Sequence, residues 1–435
     1  MNKEILKLAI PNILANLSVP LLSVVDVALM GHLSGESYIL AIGFGVMIFN
    51  FIYWAFGFLR MGMTGMTAQE YGKGNVNEAF RLLFRGLMIA FGGALLLYVC
   101  KDWILHFSLY LIGASEEVNS QITTYFDVRI YAAPATIGLY AFIGWFMGKQ
   151  RATITMVITI AINLINAGLS YYLVTQLNYK TDGVALGTVI AQYFGFGLAL
   201  IFFIVFYRKQ LTKLAFKGIL ELKAIKQFIL VNTDILIRTL CLIFALSFFK
   251  VVSAKEGELI AAANILLLEF VSIAAYGIDG FAFAAEAISG KYFGAGNQQK
   301  FKQAVRYCFY WGLGLGAIYG IAYWFFGENI LMLLTDQEEV ISIALNYLVW
   351  LVLFPILSVI PFVWDGVYIG LTSSKAMRNT MLFSTFVIFI PAYYVLANLW
   401  GNHGLWLAMI LFVLARGISQ TILAKKVVYD KLANF

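Results

Sequence analysis

The stretch Tyr71-Gly-Lys-Gly-Asn75 has a counterpart later in the chain, because Phe293-Gly-Ala-Gly-Asn297 repeats its two glycines and its asparagine 222 positions on. Two further pairs share this offset: residues 116–118 with 338–340, which both read Glu-Glu-Val, and Gly148 with Gly370. Three coincidences at one offset indicate an internal repeat. The sequence therefore predicts two similar halves.

The composition of both halves is that of a membrane protein. Of the 435 residues, 61% are hydrophobic and only 12% are charged, whereas a soluble domain carries about 25% charged residues. The mean hydropathy is +0.84, and most apolar runs exceed the ~20 residues that cross ~30 Å of hydrocarbon. The ~10-residue alternation of a barrel is absent, and helices satisfy their backbone polar groups internally. We expect an all-α polytopic membrane protein.

The apolar runs predict twelve transmembrane helices in two pseudo-symmetric six-helix bundles. The first six cover 4–31, 38–70, 80–101, 119–148, 152–176 and 183–207, and the second six cover 225–250, 257–290, 302–326, 339–370, 376–399 and 402–424. This divides the chain into an N-terminal lobe (1–210), a cytoplasmic linker (211–226) and a C-terminal lobe (227–435). Because each half has an even number of spans, the two are expected to be parallel repeats.

The formal charge of +7 is explained by lysine and arginine gathered on one side of a membrane rather than by binding to nucleic acid. The basic residues concentrate in alternate connections and near both termini, while the opposite connections hold only four lysines: Lys101, Lys180, Lys250 and Lys255. We therefore expect a multi-pass protein of the cell (inner) membrane with both termini cytoplasmic. The three cysteines and three histidines have no metal-ligand spacing, so neither a metal nor another cofactor is expected.

Ionisable residues inside spans are costly, so each is a functional hypothesis. Eleven stand out: Asp26, Arg60, Asp127, Arg129, Asp234, Arg238, Glu269, Asp279, Glu286, Asp365 and Arg416. Asp26 is the most informative, because no basic residue lies within two helical turns of it along the chain. An unpaired buried carboxylate favours its protonated form and can titrate near neutral pH. The alternative is a carboxylate that accepts hydrogen bonds from serine or asparagine and never titrates.

Polar residues on the fifth and sixth helices can accompany Asp26. Asn166 and Ser170 are four apart and share a helix face, and Thr188 lies on the next helix. We expect these four residues to form a small ion-coupling pocket in the first half. Met63 is a candidate for lining a permissive substrate cavity, although packing between helices is the commoner role of such a residue.

The second half offers several acids for a substrate cavity. Asp279 and Glu286 are seven apart on the eighth helix, so we expect them to share a face that looks into a water-filled cleft. Asp234 and Arg238 are four apart on the seventh helix and can pair with each other. Arg416 is expected to reach the cytoplasmic interface, and Asp127 and Arg129 are expected to be hydrated at an outer helix end.

Several of these stretches resemble the MATE (multidrug and toxic compound extrusion) transporters. They are residues 11–31 around Asp26, Gly57-Phe-Leu-Arg-Met-Gly62 and Thr67-Ala-Gln-Glu-Tyr-Gly72. Tyr276-Gly-Ile-Asp-Gly280 and Asn232-Thr-Asp-Ile-Leu-Ile-Arg238 look like the DinF branch of that family. The resemblance extends over nearly the whole chain and includes the helix count and the repeat.

The resemblance implies cation-coupled antiport, in which protons or sodium enter while an organic, often cationic, compound leaves. It assigns the first-helix acid to Asp26 and a tenth-helix acid to Asp365. Family members often have Asn-x-x-x-Asp on the fifth helix, where this chain has Asn166 and Ser170. Because this second carboxylate is missing, the resemblance favours protons over sodium as the coupling ion. We expect a proton-coupled efflux antiporter that acts as a monomer on small organic cations in the bilayer.

Two other functions compete with this expectation. A lipid-linked oligosaccharide flippase of the same superfamily would need more arginine and lysine in its cavity to bind pyrophosphate, and this chain offers mainly acids there besides Arg60 and Arg238. An intramembrane enzyme would need catalytic motifs, but the sequence has no HExxH, no clustered Cys and His, and no GxSxG near a paired histidine. We therefore do not expect an enzyme.

Overall fold

The computed structural model describes the backbone of residues 1–30, 36–211 and 218–433, and all side chains in these ranges except those of 20–30, 36, 39 and 433. Every regular element in these ranges is helical. The first half contains α1 (Asn2–Met30), α2 (Glu36–Gly72), α3 (Val76–Val99), α4 (Lys101–Ile112), α5 (Glu116–Arg129), α6 (Ala133–Gly148), α7 (Ala152–Thr175) and α8 (Thr181–Leu211). The second half contains α9 (Leu222–Ser253), α10 (Glu258–Gly294), α11 (Gln298–Met332), α12 (Glu338–Asn346), α13 (Leu348–Gly370), α14 (Ser374–Leu382), α15 (Ile390–Trp400), α16 (Asn402–Ala424) and α17 (Asp430–Ala433).

Among the described residues, ten helical segments are long and apolar enough to cross a membrane. The all-α membrane architecture is thereby confirmed, while the count of twelve spans stays a prediction. The two remaining spans were expected at 4–31, where the side chains of 20–30 lie outside the described residues, and at 302–326 within α11. Glycine, tyrosine and tryptophan are frequent in α11 and lower its hydropathy.

The structure departs from the predicted spans at three further places. The short helix α4 follows α3 as a separate element, and none of its residues is buried. The fourth and tenth predicted spans are each divided in the half nearer their N-terminus, the fourth by the 3₁₀ turn Ile130–Ala132 and the tenth at Tyr347. Pro134 follows the first of these breaks at a helix start, which is where a missing backbone N–H is best tolerated.

The repeated Gly-x-Gly-Asn motif ends one helix and begins the next in both halves. Gly74 and Gly296 have φ angles of 72° and 65°, a conformation that glycine adopts without steric cost. Asn75 Oδ1 then accepts a hydrogen bond from the Glu78 amide (3.2 Å), and Asn297 Oδ1 accepts one from the Lys300 amide (2.9 Å). These are N-caps, which satisfy an otherwise unpaired amide of the following helix. The sequence repeat is thus also a structural repeat.

The described chain forms two compact units. The N-terminal unit comprises Leu14–Thr67 and Asn75–Gln227, and the C-terminal unit comprises Met1–Ile13, Ala68–Gly74 and Phe228–Phe435. The start of α1 and the end of α2 therefore pack with the second half of the sequence. Within this C-terminal unit, Gln69 Nε2 donates a hydrogen bond to the carbonyl oxygen of Gly370 (2.8 Å), and Lys291 pairs with Glu4.

The same helix crossing occurs inside each unit. In the N-terminal unit, Gly144 of α6 lies against the backbone of α2, and an added Cβ would overlap the carbonyl oxygen of Arg60. In the C-terminal unit, Gly366 of α13 lies against α10 in the same way, and its added Cβ would overlap the carbonyl oxygen of Ala282. Both pairs are separated by the 222 positions of the repeat. Glycine is therefore needed for the close approach of these helices.

Candidate functional site

The three polar residues predicted to accompany Asp26 meet inside the N-terminal unit. Asn166, Ser170 and Thr188 are 4%, 0% and 6% exposed. Asn166 Oδ1 lies 3.0 Å from Ser170 Oγ and 3.3 Å from Thr188 Oγ1, and both hydroxyls donate to it. A Cβ added to Gly187 would lie 2.8 Å from Ser170 Oγ. The small residue at position 187 lets α8 approach α7 closely enough to assemble this cluster.

The first helix is connected to this polar region. Asn163 Nδ2, one turn before Asn166 on α7, donates a hydrogen bond to Ser18 Oγ of α1 over 2.7 Å. The backbone of α1 continues through position 26, but the side chain of Asp26 lies outside the described residues. The described members of the cluster are all neutral oxygen or nitrogen groups. Any formal charge in the predicted ion-coupling pocket must therefore come from another residue.

Met63 lies in the packed interior of the N-terminal unit. It is 0% exposed, and its Sδ would be 2.8 Å from a Cβ added to Gly86 of α3. Its own Cβ faces Gly144 of α6. A thioether can fill such an irregular gap between three helices.

In the C-terminal unit, Asp365 lies at the centre of a buried network. Its Oδ2 is 2.8 Å from Arg416 Nη2 and also pairs with Arg238, while Gln420 Nε2 donates to its Oδ1 over 2.5 Å. Asp365, Arg238 and Arg416 are 4%, 7% and 2% exposed. Two guanidinium groups and one amide surround a single carboxylate, so the Asp365 oxygens are already occupied by groups of this chain.

The predicted pairing of Asp234 with Arg238 is wrong. Asp234 Oδ1 accepts instead from Arg378 Nη1 (2.6 Å), and its Oδ2 accepts from the hydroxyl of Ser374 (2.9 Å). The i,i+4 spacing on α9 allows a pair, but each side chain finds a partner on a neighbouring helix. The expected position of Arg416 at the interface is wrong for the same reason, because Asp365 compensates its charge in the interior.

Asp279 and Glu286 do not share one open face. Asp279 is partly exposed, whereas Glu286 is 1% exposed. At the level of Glu286, α10 is crossed closely by α13, since added Cβ atoms at Gly366 and Gly370 would meet the Glu286 backbone. The prediction of a common water-filled face is therefore not matched. No sequence signal pointed to Gln420 as a partner of Asp365 or to Arg378 as a partner of Asp234.

Of the two charged residues near the end of α5, one has the expected hydration and the other does not. Asp127 is hydrated as expected, with a side chain that is 48% exposed and 3.3 Å from Lys101 Nζ. Arg129 is instead partly buried, with its guanidinium over the rings of Phe49 and Tyr53 and its Nε and Nη1 atoms inaccessible. Nothing in the sequence indicated this burial, because Arg129 lies only two residues after the hydrated Asp127.

Comparison with known proteins matches most of the chain to one family. The MatE family model matches residues 11–172 and again residues 235–395, which is one match in each half. DNA damage-inducible protein F of Escherichia coli is 33% identical over 429 residues, which covers 96% of this chain and 91% of the relative. A probable multidrug resistance protein NorM of Photorhabdus laumondii is 22% identical and covers 97% of this chain and 95% of that protein.

Solved structures agree with the fold. An outward-facing multidrug resistance MATE family transporter of the MOP superfamily superposes with a TM-score of 0.89 at 17% identity, covering 100% of this chain and 97% of the other. The Vibrio cholerae MATE transporter VcmN in its bent form gives a TM-score of 0.87 at 20% identity, covering 100% and 98%. The expected fold of two pseudo-symmetric helical bundles is confirmed.

Proposed function

The chain belongs to the MatE family of membrane transporters, and we propose that it is a proton-coupled antiporter that exports small organic, often cationic, compounds by alternating access. The observation that carries this proposal is the buried cluster of Asn166, Ser170 and Thr188 in the N-terminal unit. It lies in the unit that contains the hydrogen bond between Asn163 and Ser18 of α1, the helix that carries Asp26. Asp26 is the acid that we assign to proton coupling.

The composition of the cluster supports protons rather than sodium as the coupling ion. A sodium ion must exchange its hydration shell for several protein oxygens, and a second carboxylate would compensate its charge. Ser170 stands where relatives of this type often have an aspartate, so the pocket has a single candidate carboxylate. A lone carboxylate in an apolar setting favours its protonated form, and proton uptake neutralises it without further ligands.

The proposed cycle alternates the proton and the exported compound. Deprotonated Asp26 carries a negative charge that attracts an organic cation into the protein. Protonation removes this charge, weakens binding and lets α1 repack. A ligand can shift a conformational equilibrium only through its different affinity for the two states, and the charge of Asp26 supplies that difference for a cation.

The distribution of charge supports the proposed orientation. Basic residues concentrate in the connections that include Lys73, Arg151, Arg208, Lys300 and Lys375, which supports a cytoplasmic position for those connections and both termini. The protein is proposed to reside in the cell (inner) membrane as a monomer and to need no cofactor besides the coupling proton. An organic cation would then be expelled outward while protons enter.

The direct test is ethidium efflux from cells that express the chain. We expect Asp26→Asn to reduce efflux at least about tenfold, which corresponds to about 1.4 kcal/mol. Asp102→Asn is the matched control, because Asp102 has a side chain that is 85% exposed. Equal membrane expression of the two variants is checked by immunoblot. Efflux by Asp26→Asn at the level of the control would refute the role of Asp26.

A further inference from the structure

Helices α13 and α16 leave an open apolar groove on the surface of the C-terminal unit. It has a volume of about 170 Å³, and its walls include Leu357, Ile360, Leu414, Ile418, Thr421 and Ile422. The two helices approach closely at its floor, because a Cβ added to Gly417 would lie 2.9 Å from Ile360 Cγ2. Ile418 and Ile422 are 56% and 70% exposed. The groove is therefore open along one side.

The groove follows the half of α16 that is nearer its C-terminal end. This helix has 23 residues, so it is about 35 Å long and can cross ~30 Å of hydrocarbon. The lining residues of α16 lie between Val413 and Ile422 and extend over about 14 Å. This length corresponds to the hydrocarbon of about one leaflet. An occupant of the groove would thus lie beside a single leaflet.

Exposed cations lie at the end of this helix face. Lys425 and Lys426 follow two lining residues of α16 by four positions, so they continue the same face. Both are exposed, and neither pairs with an acid among the residues that the structure describes. Arg306 of α11 lies close enough to Tyr429 on the same π-helical turn to act on it electrostatically. Only Asp430 follows as an exposed acid, so this end of α16 is positive on balance.

We propose that the groove and the two lysines bind an anionic phospholipid of the cytoplasmic leaflet. One acyl chain lies in the groove, and the phosphate lies at the ammonium groups of Lys425 and Lys426. The groove is smaller than the about 300–1,000 Å³ of a pocket for drug-sized ligands, and its narrow, open shape fits a linear chain. Lysine binds phosphate as a point charge, and basic sites between membrane helices on the cytoplasmic side bind anionic head groups. The site is additional to the proposed antiport and does not depend on it.

The first test is native mass spectrometry of the purified full-length chain in a neutral detergent. It is titrated with dioleoylphosphatidylglycerol and with dioleoylphosphatidylcholine, which has the same acyl chains but no net charge. A lysine near a head group contributes about fivefold in affinity. We therefore expect wild type to bind the first phosphatidylglycerol at least about tenfold more tightly than phosphatidylcholine, and the variant with Lys425→Gln and Lys426→Gln to lose this preference. Equal affinities in wild type, or an unchanged preference in the variant, would overturn the site.

A matched control removes two exposed basic residues from the end of another span. Arg208 and Lys209 lie in the last turn of α8 and are exposed. The variant with Arg208→Gln and Lys209→Gln has the same change in charge and should keep the wild-type preference. A loss as large as that of the lysine variant would mean that the preference reflects overall charge, and it would overturn the proposal.

Fluorescence quenching locates the acyl chain. Trp364 Nε1 donates a hydrogen bond to Thr421 Oγ1 over 2.8 Å, so its indole borders the groove. One equivalent of phosphatidylglycerol with brominated chains should quench wild type more than Trp364→Phe. Trp324→Phe is the control, because Trp324 lies on α11 and is 61% exposed, and it should be quenched like wild type. Equal quenching of wild type and Trp364→Phe would place the lipid elsewhere and refute the groove.

Competition separates the lipid from other occupants. Glycerol 3-phosphate carries a phosphate without acyl chains, and a large excess should leave the bound phosphatidylglycerol in place. Displacement would mean that the lysines recognise phosphate alone. A dimer mass that appears in place of the lipid-bound monomer would mean that a second copy of the chain covers the groove. Either result would overturn the lipid site, whereas loss of ethidium efflux bears only on the proposed antiport.

Discussion

Gly72 and Gly294 occupy equivalent positions of the repeat, and each faces the backbone of the other's helix. A Cβ added to Gly72 would overlap the carbonyl oxygen of Lys291, and one added to Gly294 would overlap that of Gln69. Gln69 and Lys291 are themselves separated by the 222 positions of the repeat. The contact between the ends of α2 and α10 is thus self-complementary, as at a two-fold axis. Both helix ends belong to the C-terminal unit, so this contact is part of the internal packing of that unit.

Gly72→Ala should therefore impair transport by preventing this contact. Overpacking of a well-packed contact costs about 1–3 kcal/mol, and we expect ethidium efflux to fall about 5- to 150-fold. Gly92→Ala is the control, because Gly92 lies within α3 with no atom near its added Cβ. Equal efflux by the two variants, at equal expression, would contradict the need for close approach.

The Asn166 cluster allows a test of ion selectivity. Ser170→Asp places a second carboxylate beside Asn166, whose Oδ1 now accepts from Ser170. We expect efflux by this variant to respond to an imposed sodium gradient, which wild type should ignore. Ser170→Asn is the neutral control and should remain insensitive to sodium. Efflux in wild type that already follows the sodium gradient would contradict the proton assignment.

Asp365 is predicted to be structural. Asp365→Asn leaves Arg238 and Arg416 buried beside a neutral group, and loss of one partner of a buried pair costs about 3–5 kcal/mol. Arg238→Gln should destabilise the protein less, because the ion pair between Asp365 and Arg416 persists. Thermal unfolding in detergent should rank wild type above Arg238→Gln, and Arg238→Gln above Asp365→Asn. A wild-type Tm with lost efflux in Asp365→Asn would instead make Asp365 a substrate ligand.

The corrected partner of Asp234 is open to a double-mutant cycle. Asp234 and Arg378 have partly buried side chains, 14% and 25% exposed, so we expect a coupling energy of about 0.5–1 kcal/mol. Alanine substitutions of Asp234 and Arg238 should be additive, since the two do not pair. A coupling energy between Asp234 and Arg238, with none between Asp234 and Arg378, would instead support the pairing expected from their spacing.

The fold was predictable because its signals are local. Apolar runs set most spans to within a few residues, and the Gly-x-Gly-Asn motif marked the same helix end and N-cap in both halves. The helix crossings at Gly144 and Gly366, which the structure reveals, have the same offset. Such features depend on residues that are neighbours in the sequence or on one helix.

The neutral polar cluster of the N-terminal unit was predictable, but the pairing of charged residues was not. Asn166, Ser170 and Thr188 meet because adjacent helices α7 and α8 pack along their length. Asp234 and Arg238 share a helix but turn to α14 and α13, and spacing along one helix cannot report which neighbour offers a better partner. The burial of Arg129 depends on the same long-range packing. Sequence therefore identifies the charged residues but not their partners.

The most direct test of proton antiport uses purified protein in proteoliposomes that contain a pH-sensitive dye. With an imposed pH gradient and no sodium, we expect ethidium to accumulate against its own gradient while protons move in the opposite direction. Both movements should disappear in Asp26→Asn and persist in Asp102→Asn. Ethidium accumulation that leaves the internal pH unchanged, or that survives in Asp26→Asn, would contradict proton antiport through Asp26.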